Sequence, residues 1–221
     1  MRAFLAVLVA ASFLTACGGG GDGGSTTDTT ASTGGTSGEC ADVEPPDPRE
    51  AASLKAPTAP LDTSKTYTLV FETTCGSFTV TLDPNLAPRT TASLVALARD
   101  GYFDDTIFHR VVPGFVIQGG DPTQSGSGGP GYTTVDVPPS DAGYTKGVVA
   151  MAKSATDPPG TAGSQFFVVT GADAGLPTEY AIVGTVTEGM DTVGRIDALG
   201  VADGPPSKPV VVTTVSVQES S

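Results

Sequence analysis

The stretch Phe108-His109-Arg110-Val111-Val112-Pro113-Gly114-Phe115-Val116-Ile117-Gln118-Gly119-Gly120-Asp121 concentrates the side chains best suited to chemistry. No Ser or Cys stands beside its histidine, so it offers no nucleophile with an adjacent base. It offers instead an arginine, an aromatic ring and an amide, on two strands joined by a short Val-Val-Pro-Gly turn. The guanidinium keeps its charge and presents its donors in a rigid fork, which suits it to holding a polar group in one orientation. Residues alternating along a strand share a face, so Phe115 looks the same way as Ile117, and Gln118 needs a local twist or bulge to join the ring. Taken singly, each residue has a plainer role: Arg110 as a solvated surface charge, His109 as a structural side chain, Phe115 and the later Phe167 as core.

Other chemistries are excluded by spacing and composition. Gly126, Gly128 and Gly131 satisfy the G-x-G-x-x-G pattern. A dinucleotide site needs that loop to open a helix, whereas here Pro130 interrupts it and Tyr132–Pro139 is β-like. A phosphate loop is excluded as well, since no Lys-Ser or Lys-Thr follows. One histidine and three cysteines leave few ways to build a metal site, and neither metal nor cofactor is expected. The 221 residues carry 24 acidic against 11 basic side chains, a formal charge of −13, which repels phosphates and argues against nucleic acid as a partner.

These residues must be positioned by a β-rich scaffold that begins at Thr66. Tyr67–Thr73 and Ser77–Leu82 alternate around a Gly-containing turn and predict a hairpin. Pro88 opens and Gly101 ends an apolar-faced segment, predicting a helix over 88–99. Further strands are predicted at Thr106–His109, Phe115–Gln118, Gly147–Ala152, Gln165–Thr170, Ile182–Val186 and Val210–Val217, with a second helix at Met190–Leu199. Eight strands and two helices in about 150 residues predict a mainly β fold: a closed, eight-stranded antiparallel barrel capped by two α-helices. A closed barrel also suggests a monomer.

Ahead of the domain, residues 1–16 read as a signal peptide, with Arg2 as its positive region and Ala3–Leu14 as a 12-residue apolar core, too short to span a bilayer. Leu14-Thr15-Ala16-Cys17 looks like a bacterial lipobox, in which the cysteine receives a diacylglycerol; an ordinary secretory signal is the alternative. In Gly18–Gly38, 18 of 21 residues are Gly, Ser or Thr, so residues 17–38 read as a lipidated cysteine followed by a tether, spanning roughly 25 Å. Residues 39–65 read as a Pro-rich arm and 66–221 as the folded domain. The expected location is extracytoplasmic, with the lipid anchoring the chain to a bacterial cell membrane. Cys40 and Cys75 are left over and can close a disulfide in an oxidising compartment or stay free.

The Phe108–Asp121 run resembles the signature of the cyclophilins. Gly126-Ser-Gly-Gly-Pro-Gly-Tyr132, Gly147-Val-Val-Ala-Met151-Ala152 and Gly163-Ser164-Gln165-Phe166-Phe167 match further blocks of that family in order, and the resemblance covers 66–217. It implies peptidyl-prolyl cis–trans isomerisation. By position, Arg110 matches the catalytic arginine, Gln118 the amide beside it, and His109 a histidine lining the same groove. Phe115 and Phe167 match the aromatic walls of the proline pocket, with Val116 and Leu176 as further lining. Ala152 and Lys153 fall where the family's backbone grips the substrate, while Gly126 and Gln165 border the groove.

The chain departs from many eukaryotic members in two places. Gly175 stands where they have a tryptophan that supports cyclosporin binding, so weak cyclosporin affinity is expected and tight, nanomolar-range titration would overturn it. Tyr180 stands where they have a histidine, which reshapes the pocket rim. The resemblance thus implies an isomerase acting on proline-containing polypeptides during the folding of exported or envelope proteins. The alternative is a membrane-tethered proline-peptide-binding module or chaperone, which would need the apolar pocket but not Arg110.

Overall fold

The structure is a computed structural model and describes residues 38–221. The expected signal peptide, Cys17 and the Gly/Ser/Thr tether up to residue 37 lie outside the described residues. The first hairpin pairs β1 (Thr66–Thr73) with β2 (Gly76–Leu82). Alternation decides its faces: Tyr67, Leu69 and Phe71 point inward from β1, and Phe78, Val80 and Leu82 from β2. Phe71 and Phe78 sit opposite one another and stack with ring centroids 4.7 Å apart.

Helix α1 spans Pro88–Arg99, as its opening proline predicts. Its N-terminus borrows a cap from elsewhere, because Ala87 has no polar side chain. The Asp136 carboxylate accepts from the N–H groups of Arg89 (3.1 Å) and Thr90 (2.7 Å). The remaining elements are β3 (Thr106–Ile107), β4 (Arg110–Val112), β5 (Val116–Gly119), β6 (Thr134–Val135), β7 (Val148–Met151), β8 (Thr161–Ala162), β9 (Phe166–Val169), β10 (Ile182–Glu188), α2 (Met190–Asp197) and β11 (Val211–Ser220).

Nine strands form one antiparallel sheet in the order β3-β11-β1-β2-β10-β7-β9-β5-β4, and β6 with β8 forms a separate pair. The main sheet therefore has one strand more than the eight expected. The difference lies in Thr106–Gln118, which holds β3, β4 and β5 rather than two strands. The expected closure is also only approximate. The sheet curls until its two outermost strands, β3 and β4, are separated by Phe108 and His109 alone, yet no ladder joins them. Inside the curl lie Leu69, Phe78, Phe103, Phe108, Val111, Ile117, Met151 and Phe166, each 2% exposed or less.

A second apolar cluster covers the outer face of β5, β7 and β9, built from Val116, Tyr144, Val148, Ala150, Phe167, Val169 and Ile182. Strands β7 and β9 are buried on both faces, which is why Val-Val-Ala-Met and Phe-Phe-Val-Val read as continuous apolar runs. Alternation sends Phe166 into the barrel interior and Phe167 outward.

The Pro-rich arm lies along the domain. A disulfide joins Cys40 to Cys75, in the turn between β1 and β2. Beyond it, the Ala41 N–H donates to Thr74 O (2.7 Å), Arg49 N–H to Pro122 O (2.9 Å) and Leu54 N–H to Pro130 O (2.8 Å). Gln124 Nε2 donates to Pro46 O (2.8 Å), and the Arg49 guanidinium donates to Tyr102 O while lying over that residue's ring.

Candidate active site

Strands β4 and β5 are joined by a tight turn in which Gly114 takes φ +70° and Phe115 N–H donates to Val112 O (3.0 Å). Their register sets Arg110 directly opposite Gln118 and Val112 opposite Val116. These four side chains share the outer face, while Val111 and Ile117 turn inward. The expected twist or bulge is therefore unnecessary: Gln118 meets Arg110 through ordinary cross-strand pairing, and Phe115 comes alongside from the turn. The Arg110 Cζ lies 5.9 Å from the Phe115 ring centroid.

A chain of hydrogen bonds orients the polar groups. Arg110 Nη1 donates to Gln118 Oε1 (3.3 Å), Gln118 Nε2 to Gln165 Oε1 (3.0 Å), and Gln165 Nε2 to Gly128 O (2.9 Å). Each amide thus accepts on one side and donates on the other, so neither can flip without losing two bonds. At the other end, Asp203 takes the Nε and Nη2 edge of Arg110, at 2.6 and 3.2 Å. Hydrogen bonding from Arg110, with its charge as a smaller cause, holds the Asp203 carboxyl below its ordinary range.

Arg110, Phe115, Val116, Gln118, Ala152, Lys153, Phe167, Leu176 and Tyr180 together line a pocket of about 250 Å³. Phe167 and Tyr180 meet edge to face at 5.7 Å, and Tyr180 is fixed by its N–H donating to Tyr144 Oη (3.0 Å) and its carbonyl accepting from it (2.8 Å). Lys153 is buried under Tyr180, its Nζ 3.1 Å from Glu179 Oε2 and 3.1 Å from Asp157 O. The Ala152 N–H is occupied by Gln165 O (2.9 Å), whereas no backbone hydrogen bond among the described residues engages the N–H or carbonyl of Lys153. The backbone of Lys153 is thus open to a ligand chain.

Gln118, Ala152 and Lys153 also border a second, larger cleft of about 810 Å³, where Gly126 and Gln165 lie. Ala51 and Ala52 of the arm contribute to its rim. Its glycine-rich wall is organised by Asp121, a residue the sequence reading did not single out. The Asp121 carboxylate accepts from the Thr123 N–H (2.8 Å) and hydroxyl (2.8 Å) and from the N–H groups of Gly126 (2.7 Å) and Gly128 (3.0 Å). Burial alone would raise its pKa, but these donors outweigh it and the carboxyl titrates below its ordinary value. A Cβ at Gly128 would collide with the same carboxylate.

His109 stands apart from this set. Its ring lies against Gly126, outside the lining of both pockets, and neither ring nitrogen has a hydrogen-bond partner among the described residues. Burial is the main cause holding its pKa below the ordinary value; the Asp121 charge opposes this, the Arg110 charge adds to it, and the nearby Gln165 amide, short of hydrogen-bond geometry, opposes it weakly. Among the described residues no three His, Cys, Asp or Glu side chains converge as a metal site would require.

The geometry unites Arg110, Gln118, Phe115, Val116, Phe167, Leu176, Ala152, Lys153 and Tyr180 around one pocket, with Gly126 and Gln165 in the adjoining cleft. Asp203, on an exposed loop far along the chain, had no signal in the sequence. The arrangement presents a guanidinium at the edge of a small apolar pocket, with a polar groove running past it. It can hold a compact ring in place and donate a directed hydrogen bond beside it, and it has no group placed to attack a bond.

Comparison with known proteins agrees with this chemistry. The family model of cyclophilin type peptidyl-prolyl cis-trans isomerase matches residues 68–217. Peptidyl-prolyl cis-trans isomerase-like 1 of Gibberella zeae is 36% identical over 160 residues, which cover 70% of this chain and 97% of the fungal protein. The Mycobacterium leprae protein named Probable peptidyl-prolyl cis-trans isomerase A is 35% identical over 170 residues, covering 68% and 91%. A cyclophilin type isomerase of Cryptosporidium parvum, solved in the presence of the dipeptide Ala-Pro, superposes with a TM-score of 0.63 at 29% identity, over 68% of this chain and 98% of its own.

Proposed function

The chain belongs to the cyclophilin-type peptidyl-prolyl cis–trans isomerases, and on that premise we propose that it turns X–Pro bonds of exported or envelope proteins with Arg110 as the catalytic group. The observation that carries the assignment of roles is the direct pairing of Arg110 with Gln118 at the mouth of the Phe115–Phe167 pocket.

The X–Pro amide resists rotation by about 18–20 kcal/mol, because resonance gives its C–N bond double-bond character. Halfway through the turn, that resonance is lost and the prolyl nitrogen gains a lone pair. An N–H aimed at this nitrogen bonds only to the twisted form, so it lowers the barrier without tightening either planar state. Arg110 has five N–H donors, of which Asp203 and Gln118 take three, and the remaining two are available to the substrate. Phe115, Val116, Phe167 and Leu176 hold the proline ring still, and the backbone of Lys153 pairs with the peptide, so the preceding carbonyl is what swings. Acceleration on the order of 10⁵ needs about 7 kcal/mol. One charge-assisted hydrogen bond supplies about 1.5–3 kcal/mol, and orientation in a poorly solvating pocket supplies the rest. The Ala-Pro dipeptide present with the parasite relative supports the same class of substrate.

An extracytoplasmic setting is supported by two features. Leu14-Thr15-Ala16-Cys17 and the Gly/Ser/Thr tract give the chain a lipid attachment point and a spacer. The Cys40–Cys75 disulfide fits an oxidising compartment. Weak cyclosporin binding belongs to the same reading, since Gly175 leaves that part of the rim bare.

The test is exchange NMR of a short X-Pro peptide with catalytic amounts of the full chain and its Arg110→Ala variant. Fast exchange with the parent and a loss of about 10²-fold in the variant are expected. Peptide binding without faster exchange in the parent would instead identify a tethered proline-peptide-binding module.

A further inference from the structure

We propose that Asp203 is a positioning residue for Arg110, holding the guanidinium in the plane and orientation that the rotating amide requires. This rests on the reading of Arg110 as the catalytic group. The pair is a fork on a fork: Nε and Nη2 each donate to a separate carboxylate oxygen, at 2.6 and 3.2 Å. Two parallel bonds fix the guanidinium plane, where a single contact would leave it free to spin about its bonds. Gln118 then takes Nη1 from the opposite strand, so the group is held at two of its edges.

The loop that delivers Asp203, residues 198–210, is itself closed onto strand β4. The Val111 N–H donates to Gly204 O (2.7 Å), joining the residue after Arg110 to the residue after Asp203. Ser207 N–H donates to Leu199 O (2.7 Å) across the base of the loop. Gly200 lies so close to β4 that a Cβ there would approach Pro113 Cγ and Cδ to 2.7 Å and Val111 Cγ1 to 2.9 Å. The loop that carries the carboxylate is therefore seated by contacts that do not involve the Arg110 side chain.

Stability does not account for the pair. The Asp203 side chain is 69% exposed, and ion pairs so placed contribute little to folding. Its consequence falls on orientation, and the orienting contact occupies the edge of the guanidinium away from Gln118. The N–H groups left over, one on each Nη, are those that must meet the prolyl nitrogen.

The test compares Asp203→Ala, Asp203→Asn, Arg110→Ala and the Arg110→Ala/Asp203→Ala double variant in the full chain, measuring kcat, KM and thermal midpoint. Expected are a drop of about fivefold in kcat for Asp203→Ala with KM and midpoint little changed, and a partial return in Asp203→Asn, which keeps one acceptor. The double variant is expected to be no slower than Arg110→Ala alone. An Asp203→Ala variant with the parent kcat, beside an inactive Arg110→Ala, overturns the role of Asp203 and leaves that of Arg110 standing. An equal loss from Asp203→Ala in the Arg110→Ala background overturns it too, because Asp203 would then act by another route. Full activity in Arg110→Ala overturns the underlying reading instead.

Discussion

At the scale of single residues, His109 has the most to report about pH. The residue is half-buried, both ring nitrogens are shielded with no hydrogen-bond partner among the described residues, and desolvation is the main cause that keeps it neutral to a lower pH than a free histidine. The unfolded chain takes up a proton near pH 6.5, while the folded chain does so only at lower pH. Between those two values the unfolded state binds more protons, so stability falls as pH falls through that window. Urea unfolding at pH 7.5 and pH 5.5 should show a larger loss for the parent than for His109→Gln; an equal loss would remove the histidine as a cause. Isomerisation should not follow this titration, since the ring sits outside the proline pocket. Six of the nine residues around that pocket are legible as a set because they fall in the blocks whose order carries the resemblance, while Lys153, Leu176 and Tyr180 lie outside those blocks. Gln118 was misjudged by the count along one strand: its neighbour is set by the strand opposite, which no single-strand periodicity records. Asp121 and Asp203 escaped notice because a carboxylate on a loop looks like solvent-facing charge until its donors are known.

At the scale of elements, α1 was readable from Pro88 and Gly101, but its cap was not, because Asp136 comes from a distant loop. The sequence ends a predicted strand at His109 and gives Val111-Val112 to the turn, whereas the chain breaks at Phe108-His109 and resumes as β4, because no turn residue marks that break. The arm was legible only as extended chain. Its docking uses the carbonyls of Pro46, Pro122 and Pro130 and the side chain of Arg49, none of which leaves a periodic trace. The disulfide at its start closes a separation of 35 residues. A chain-entropy argument puts the loss on removing it at about 4 kcal/mol. A paired Cys40→Ser/Cys75→Ser variant should then melt about 10 °C lower. An unchanged midpoint would mean that the arm's own hydrogen bonds already hold it.

At the scale of the whole molecule, acidic side chains outnumber basic ones by 24 to 11, and the two basic side chains at the site are both neutralised, Arg110 by Asp203 and Lys153 by Glu179. The groove therefore has no net attraction for acidic polymers, and its selectivity rests on shape around the proline ring. The proposed attachment to a membrane rests on Leu14-Thr15-Ala16-Cys17, ahead of the described residues. Metabolic labelling with a fatty acid should mark the parent and not Cys17→Ser; labelling of neither would leave secretion without an anchor. If the chain is held in this way, the Cys40–Cys75 bond decides where a mechanical pull goes. Tension applied ahead of Cys40 crosses the two sulfurs to Cys75 and enters the sheet at the start of β2. Residues 41–74 form a slack side branch of that path. The arm can therefore stay seated against the cleft while the molecule is tugged by whatever holds it.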